Sequence, residues 1–195
     1  SPMSPGRDSL ADSVKGVWRT TDGGEHWTRV LNTYYDSQSA GGRNPIAFAG
    51  PAVVYAGTHR SGLVKSTDRG TNWSQVAIAS LQGDRIVDVA IHPDNASILY
   101  LCDDTDNMFY KIENDSIATP IGSGLGGVPH HVIVSGNRDG DPHNDIIFAA
   151  KGSVFRSTNS GLSFANISST LPLALPVLNL SMSPIDPNYL FAHSW

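Results

Sequence analysis

Val64-Lys65-Ser66-Thr67-Asp68-Arg69-Gly70-Thr71-Asn72-Trp73 reads as a short strand, a tight turn and the first residue of a return strand. The Asp68 side chain is placed to accept hydrogen bonds from backbone N–H groups of the turn. Gly70 permits a positive φ, and Trp73 is bulky enough to fill a gap between neighbouring sheets. Trp18-Arg19-Thr20-Thr21-Asp22-Gly23-Gly24-Glu25-His26-Trp27 and Phe155-Arg156-Ser157-Thr158-Asn159-Ser160-Gly161-Leu162-Ser163-Phe164 align with it without gaps. Asp22 to Asp68 is 46 residues and Asp68 to Asn159 is 91, close to two such periods. The unit between falls near Asn114, where Tyr110-Lys111-Ile112-Glu113-Asn114-Asp115-Ser116 keeps a hairpin pattern with the motif worn away. Asp22, Trp27, Asp68, Trp73, Asn159 and Phe164 are therefore assigned a structural role rather than a catalytic one.

The rest of each period supplies two further strands. Ile46-Ala47-Phe48, Val87 to Ile91, His131 to Val134 and Leu178 to Met182 open the units. Val53 to Ala56, Ile98 to Leu101, Ile146 to Ala149 and Tyr189 to Ala192 follow. Short, nearly continuous apolar runs suit strands covered on both faces. Four strands in a period of 40–50 residues is the layout of a propeller blade. The expected fold is all-β, a β-propeller of four-stranded antiparallel blades filling residues 1–195 as one domain or part of one. Blade units are expected at about 44–78, 85–122 and 128–168. A hairpin at about 16–31 and a strand pair at about 177–194 are complementary halves. Either they close a four-bladed ring between them, or the chain is a fragment of a larger propeller.

The composition agrees with many short strands. Only 16% of the residues are charged, and Gly (19) and Pro (12) are plentiful. A formal net charge of −5 and a pI near 5.7 argue against nucleic acid as a partner. No stretch reaches the roughly 20 apolar residues of a membrane span. The single cysteine, Cys102, lies in an apolar run and is expected to be buried. Five Asn-x-Ser/Thr sequons, at Asn72, Asn95, Asn114, Asn166 and Asn179, favour an extracellular or cell-envelope location.

The turns resemble the Asp box, or bacterial neuraminidase repeat, of sialidases, sortilin-type receptors and secreted propeller glycosidases. The span from Gly42-Arg43-Asn44-Pro45 to Thr71-Asn72-Trp73 resembles a blade of the xyloglucan-active endoglucanases. What these resemblances imply is a propeller architecture, shared by enzymes and by binding proteins. The chain has no Arg-Ile-Pro stretch and no arginine triad of sialidase type. Its 16 Asp and two Glu (Glu25, Glu113) yield no recognisable pair of glycosidase carboxylates.

The loops that enter the innermost strand and leave the second one form the expected ligand face. They are 32–43, 57–62, 80–85, 102–107, 122–131 and 171–176. Tyr34, Tyr35, Asp36, Arg43, His59, Arg60, Asp84, Arg85, Asp103, Asp104, Asp106, His130 and His131 lie on them. Aromatic rings beside carboxylates and Arg suit a carbohydrate or a protein ligand. Separately, Asn137, Asp139, Asp141, His143 (through its carbonyl) and Asp145 fall at positions 1, 3, 5, 7 and 9 of a loop. That spacing is the one structural calcium asks for. Cys102 to Asn107 is a second, weaker calcium candidate, and His130-His131 lacks a third zinc ligand. Two functions follow. One is a secreted or envelope propeller module that binds carbohydrate or a protein without catalysis. The alternative is a portion of a glycoside hydrolase acting on β-glucan, xyloglucan-type or sialylated glycans. Self-assembly is expected if the chain is a partial propeller.

Overall fold

The repeated turn folds identically at its three positions in the computed structural model, which describes residues 15–33, 45–135, 145–171, 176–183, 186 and 188–194. The hydroxyls of Thr20, Ser66 and Ser157 donate to the side-chain oxygens of Asp22, Asp68 and Asn159 at 2.7, 2.8 and 2.9 Å. Each hydroxyl oxygen also accepts the backbone N–H of the glycine four residues on, Gly24, Gly70 or Gly161, at 2.9, 2.8 and 2.9 Å. Each acidic or amide side chain then accepts the N–H of His26, Asn72 or Ser163 at 3.0, 2.8 and 3.0 Å. The glycines have φ of 103°, 82° and 86°, a region a residue with a Cβ seldom enters. Trp27 and Trp73 donate their indole N–H to the carbonyls of Gly24 and Gly70, both at 3.1 Å. Trp73 and Phe164 pack between sheets as expected, whereas Trp27 is exposed and fills no such gap.

These turns close hairpins within a row of antiparallel sheets. Strands β1 (Val17–Arg19) and β2 (Thr28–Leu31) pair as a two-stranded sheet. The first four-stranded sheet contains β3 (Ile46–Phe48), β4 (Val54–Gly57), β5 (Leu63–Ser66) and β6 (Ser74–Gln75) in that order. The second contains β7 (Ile86–Ile91), β8 (Ile98–Asp103), β9 (Met108–Glu113) and β10 (Ile117–Ile121). The third contains β11 (His131–Val134), β12 (Ile147–Lys151), β13 (Ser153–Ser157) and β14 (Ala165–Asn166). Strands β15 (Val177–Met182) and β16 (Leu190–Ser194) make a further pair. Among the described residues no strand pairing joins β1–β2 to β15–β16. One turn of 3-10 helix, Ala79–Leu81, links the first two complete sheets.

The first strands β3, β7, β11 and β15 touch in sequence, so successive sheets stand side by side around a common line. Each junction has its own apolar wedge. Val17, Ala56, Val64 and Trp73 fill the one between β1–β2 and the first complete sheet. Tyr55, Leu63, Leu81, Leu99, Leu101 and Ile112 fill the next. Tyr100, Cys102, Phe109, Val132, Ile147 and Phe164 fill the third, and Phe148, Val154, Val177 and Leu180 the fourth. Strand β8 is buried over its whole length because alternate residues face different wedges, which explains its unbroken apolar run. Each fully buried Leu on it contributes about 1.5–3 kcal/mol. Cys102 is buried, as its surroundings in sequence imply. The chain is therefore all-β with the blade architecture of a propeller.

The second sheet departs from the repeat at its outer hairpin. Ser116 N–H donates to Glu113 O, and Asn114 and Asp115 have φ of 53° and 55°, the two positive values of a type I′ turn. Asp115 is thereby turned toward the first sheet. It accepts from Tyr55 Oη at 2.6 Å and from Lys65 Nζ at 2.5 Å. A bond between blades stands where the other sheets have a bond within the turn.

Candidate functional site

The loops at the strand ends away from the repeated turns are joined into one rim by backbone and short polar side chains. Gly62 N–H donates to Asp84 O at 3.2 Å, and Ile86 N–H donates to Thr58 O at 2.9 Å. These two bonds tie loop 58–62 to loop 82–85. Gly62 makes the approach feasible: with φ +63°, a Cβ there would lie 1.9 Å from Leu81 O. Loop 82–85 is tied in turn to loop 104–107. Asp104 N–H donates to Arg85 O at 3.0 Å, and Arg85 N–H donates to Thr105 Oγ1 at 2.7 Å. Val128 N–H donates to Asn107 Oδ1 at 3.0 Å, which brings loop 122–130 into the rim.

Of the residues expected to bind ligand, His59, Arg60, Asp84, Arg85, Asp104 and His130 lie on these connected loops. Arg85 and Asp104 form an ion pair whose side chains keep 33% and 22% of their surface exposed, so both can reach a ligand. Tyr34, Tyr35, Asp36 and Arg43 lie outside the described residues, as do Asn137, Asp139, Asp141 and His143 of the calcium-type loop. The fifth residue of that loop, Asp145, is buried and its Oδ2 is bonded to His92 Nε2. His92 Nδ1 accepts the backbone N–H groups of Asp94 and Asn95, both at 3.0 Å, so the proton toward Asp145 sits on Nε2.

The rim also gathers three carboxylates of the expected ligand face, two of them, Asp103 and Asp106, from the 102–107 stretch read as the weaker calcium candidate. Strand β8 ends at Asp103 opposite Ile86, the first residue of β7. Asp84 therefore arrives beside Asp103, and the turn after β8 carries Asp106 back to both. One carboxylate oxygen from each of Asp84, Asp103 and Asp106 lies within 4.8 Å of the others. Asp103 Oδ1 accepts Thr105 N–H at 2.8 Å, while Asp103 Oδ2 and Asp84 Oδ2 are buried with no hydrogen-bond partner. Burial, reinforced by the charge of Asp84, pushes the Asp103 carboxyl up to about 6. Burial and then the charge of Asp106 raise Asp84. The Tyr110 phenol is raised by burial and by the same three carboxylates. A second acidic group, Asp22, Glu25 and His26, is exposed on the first repeated turn. Its Asp22–His26 contact at 2.7 Å belongs to the hydrogen bonding of that turn.

Two polar contacts between the second and third sheets escaped the sequence reading. Asp88 lies within the apolar strand β7 and is buried. Its Oδ2 accepts Val132 N–H at 2.8 Å and stands 3.2 Å from His131 Nδ1. The register shift between Ile86 and Asp88 aims it there. An acid inside a strand of Val and Ile was the available signal. The His92–Asp145 pair had none, because its members are 53 residues apart.

No protein-family model matches the chain, and no curated protein matches it. Solved structures do. The GH74 xyloglucanase of Xanthomonas campestris is similar over 92% of this chain, at 20% identity and a TM-score of 0.61. The GH74 enzyme of Niastella koreensis is similar over 90%, at 20% identity and a TM-score of 0.65. An ancestral GH74 enzyme is similar over 87%, at 17% identity and a TM-score of 0.59. The chain spans 32%, 29% and 23% of those three structures respectively. At these identities the likeness concerns the fold.

Proposed function

We propose that this chain is an Asp-box propeller module, secreted or held at the cell envelope, whose loop rim binds carbohydrate, or else a protein partner, without catalysis. One observation carries the reading: loops from successive sheets are hydrogen-bonded into a single ledge that presents the partly exposed Arg85–Asp104 pair. A guanidinium and a carboxylate held side by side offer donors and acceptors to adjacent sugar hydroxyls. His59, Arg60 and His130 extend that polar surface, and Tyr34, Tyr35, Asp36 and Arg43 are assigned to it as stacking and hydrogen-bonding groups. The three identical side-chain–backbone turns support the Asp-box assignment. The five sequons support exposure to a glycosylating compartment.

The competing reading is a portion of a glycoside hydrolase for β-glucan, xyloglucan-type or sialylated glycans. It rests on the resemblance of residues 42–73 to a blade of xyloglucan-active enzymes. Asp84, Asp103 and Asp106 do not serve it. They crowd together, with one oxygen of each within 4.8 Å of the others, whereas the carboxyl groups of inverting pairs stand roughly 6.5–9.5 Å apart. Asp103 is also fully buried, out of reach of a glycosidic oxygen. A glycan array read beside a hydrolysis screen on xyloglucan, mixed-linkage β-glucan and sialyllactose separates the two. Binding without turnover, weakened about tenfold by Arg85→Ala (about 1.4 kcal/mol), supports the proposal. Turnover abolished by one Asp substitution on the rim gives the hydrolase reading instead. Absence of glycan binding removes the carbohydrate assignment.

A further inference from the structure

We propose that Asp84, Asp103 and Asp106 form a calcium site at the junction of loops 82–85 and 103–107. The proposal is independent of which ligand the rim takes. Its basis is a cluster of three carboxylates that, with both Asp84 and Asp103 ionised, has no positive partner of its own among the described residues. Asp103 is fully buried, and no N–H or hydroxyl of the described residues reaches its Oδ2 or the buried Oδ2 of Asp84; the two carboxyls meet each other, so without a cation they are held together by a shared proton. Buried carboxylate oxygens are hydrogen-bonded, protonated or metal-bound, because leaving the charge uncompensated is costly. Nearby donors are already used. Thr105 N–H goes to Asp103 Oδ1, the Arg85 guanidinium to Asp104, and Arg85 N–H to Thr105 Oγ1.

The donor set narrows the cation. One carboxylate oxygen from each of Asp84, Asp103 and Asp106 lies within 4.8 Å of the others, close enough for one ion with oxygen bonds of about 2.3–2.6 Å to touch all three. Calcium accepts an irregular shell of roughly six to eight oxygens completed by water, whereas magnesium demands a near-ideal octahedron. Hard carboxylate oxygens exclude the sulfur- and imidazole-preferring metals. Asp106 is exposed, so water can complete the remaining coordination positions and the ion can enter from solvent. The ligands come from both sides of the Arg85–Asp104 contact, so a bound ion pins the two loops together at the centre of the rim.

The test uses the chain at neutral pH, freed of metal with a chelator and then given terbium or calcium. Tyr110 stands beside the carboxylates, so terbium excited through tyrosine is expected to luminesce and calcium to displace it at about 0.1–1 mM, the range of extracellular modules. Asp106→Asn, an exposed change that leaves the core intact, is expected to weaken calcium at least about tenfold, as is Asp84→Asn. Asp103→Asn is expected to raise Tm in chelator, by removing the need for a shared proton at neutral pH, and to abolish the rise in Tm that calcium gives the parent chain. That reversal of sign is not expected of a residue with a packing role alone. Calcium affinity unchanged in Asp106→Asn and Asp84→Asn would overturn the proposal. So would a calcium response that these variants keep but Asp139→Asn or Asp141→Asn removes, which places the ion in loop 137–145. No terbium or calcium response up to about 5 mM, well above that range, would also end it.

Discussion

Replacing Ser66 by alanine removes the hub of the turn that defines the repeat. Ser66 is buried, and its hydroxyl accepts Gly70 N–H at 2.8 Å and Asp68 N–H at 3.3 Å while donating to Asp68 at 2.8 Å. Without it the buried Gly70 N–H has no acceptor, and an orphaned buried donor costs about 1–3 kcal/mol. A loss of about 2 kcal/mol is expected. For a domain of this size each kcal/mol lowers Tm by about 2–4 °C, so a decrease of about 4–8 °C follows. Ser157→Ala should match it, since Ser157 is as buried and makes the same bonds. Thr20→Ala should cost less, about 0.5–1 kcal/mol, because water replaces the hydroxyl at that exposed turn. Urea and thermal unfolding followed by circular dichroism give the three values. If Thr20→Ala costs as much as Ser66→Ala, or Ser66→Ala costs under about 0.5 kcal/mol, burial of the donor is not what sets the cost.

Asp115→Ala should destabilise by about 1–3 kcal/mol by stranding Tyr55 Oη and Lys65 Nζ; in a double-mutant cycle with Tyr55→Phe, a coupling below about 0.5 kcal/mol would show that the contact is not formed. Arg69 sits at φ 62° where the first turn has Gly23, so Arg69→Gly should stabilise by about 0.5–1 kcal/mol. Ser160→Gly, at φ 53°, should gain nothing, because Ser160 Oγ accepts Asp145 N–H; the urea midpoints of the two variants decide this. The Asp22 and Asp68 carboxyls are held at about 2, chiefly by the backbone N–H groups of His26 and Asn72. A depressed carboxyl stabilises the fold above its unfolded value of about 3.9 and loses that contribution as pH falls through its folded value. Urea midpoints should therefore fall between about pH 4 and 2, with a shallower fall in Asp68→Asn; an equal slope in that variant would remove Asp68 from the account.

The turns were legible because their determinants are local. Thr20, Asp22 and Gly24 lie within five residues of one another, and the bonds among them need no knowledge of the rest of the chain. Strand β8 was legible for a related reason, since burial on both faces writes a continuous apolar run. The rim was legible only as a set of loops. Loop order placed Asp84, Arg85 and Asp104 on one face, but not the division of labour among neighbours in sequence. Asp104 goes to Arg85 and stays partly exposed, while Asp103 turns inward and is buried. Which of two adjacent acids points inward depends on strand register, here the pairing of Asp103 with Ile86. Register is a property of the pair of strands, so neither segment alone encodes it.

The polar contacts between sheets are a different kind of information from the wedges they border. Apolar burial is non-directional, so a wedge of Leu, Ile and Val tolerates small rotations of one sheet against the next. Asp115 to Tyr55 and Lys65, Asp88 to Val132 N–H, and His92 to Asp145 do not, because each bond holds only within a few tenths of an ångström. Arg19, which donates to Arg69 O at 2.8 Å and Thr71 Oγ1 at 2.9 Å, does the same for β1–β2. Every junction as far as the third sheet thus has an apolar filler and at least one directional pin. The worn turn fits this pattern. With a type I′ turn at 113–116, the second hairpin closes without side-chain help, and Asp115 is released to pin the first sheet. The ledge beyond the strand ends needs the sheets at fixed angles, since the Gly62–Asp84 and Asn107–Val128 bonds each cross a junction. Fixing those angles far from the ledge lets its loops be short and polar, with their side chains left for recognition.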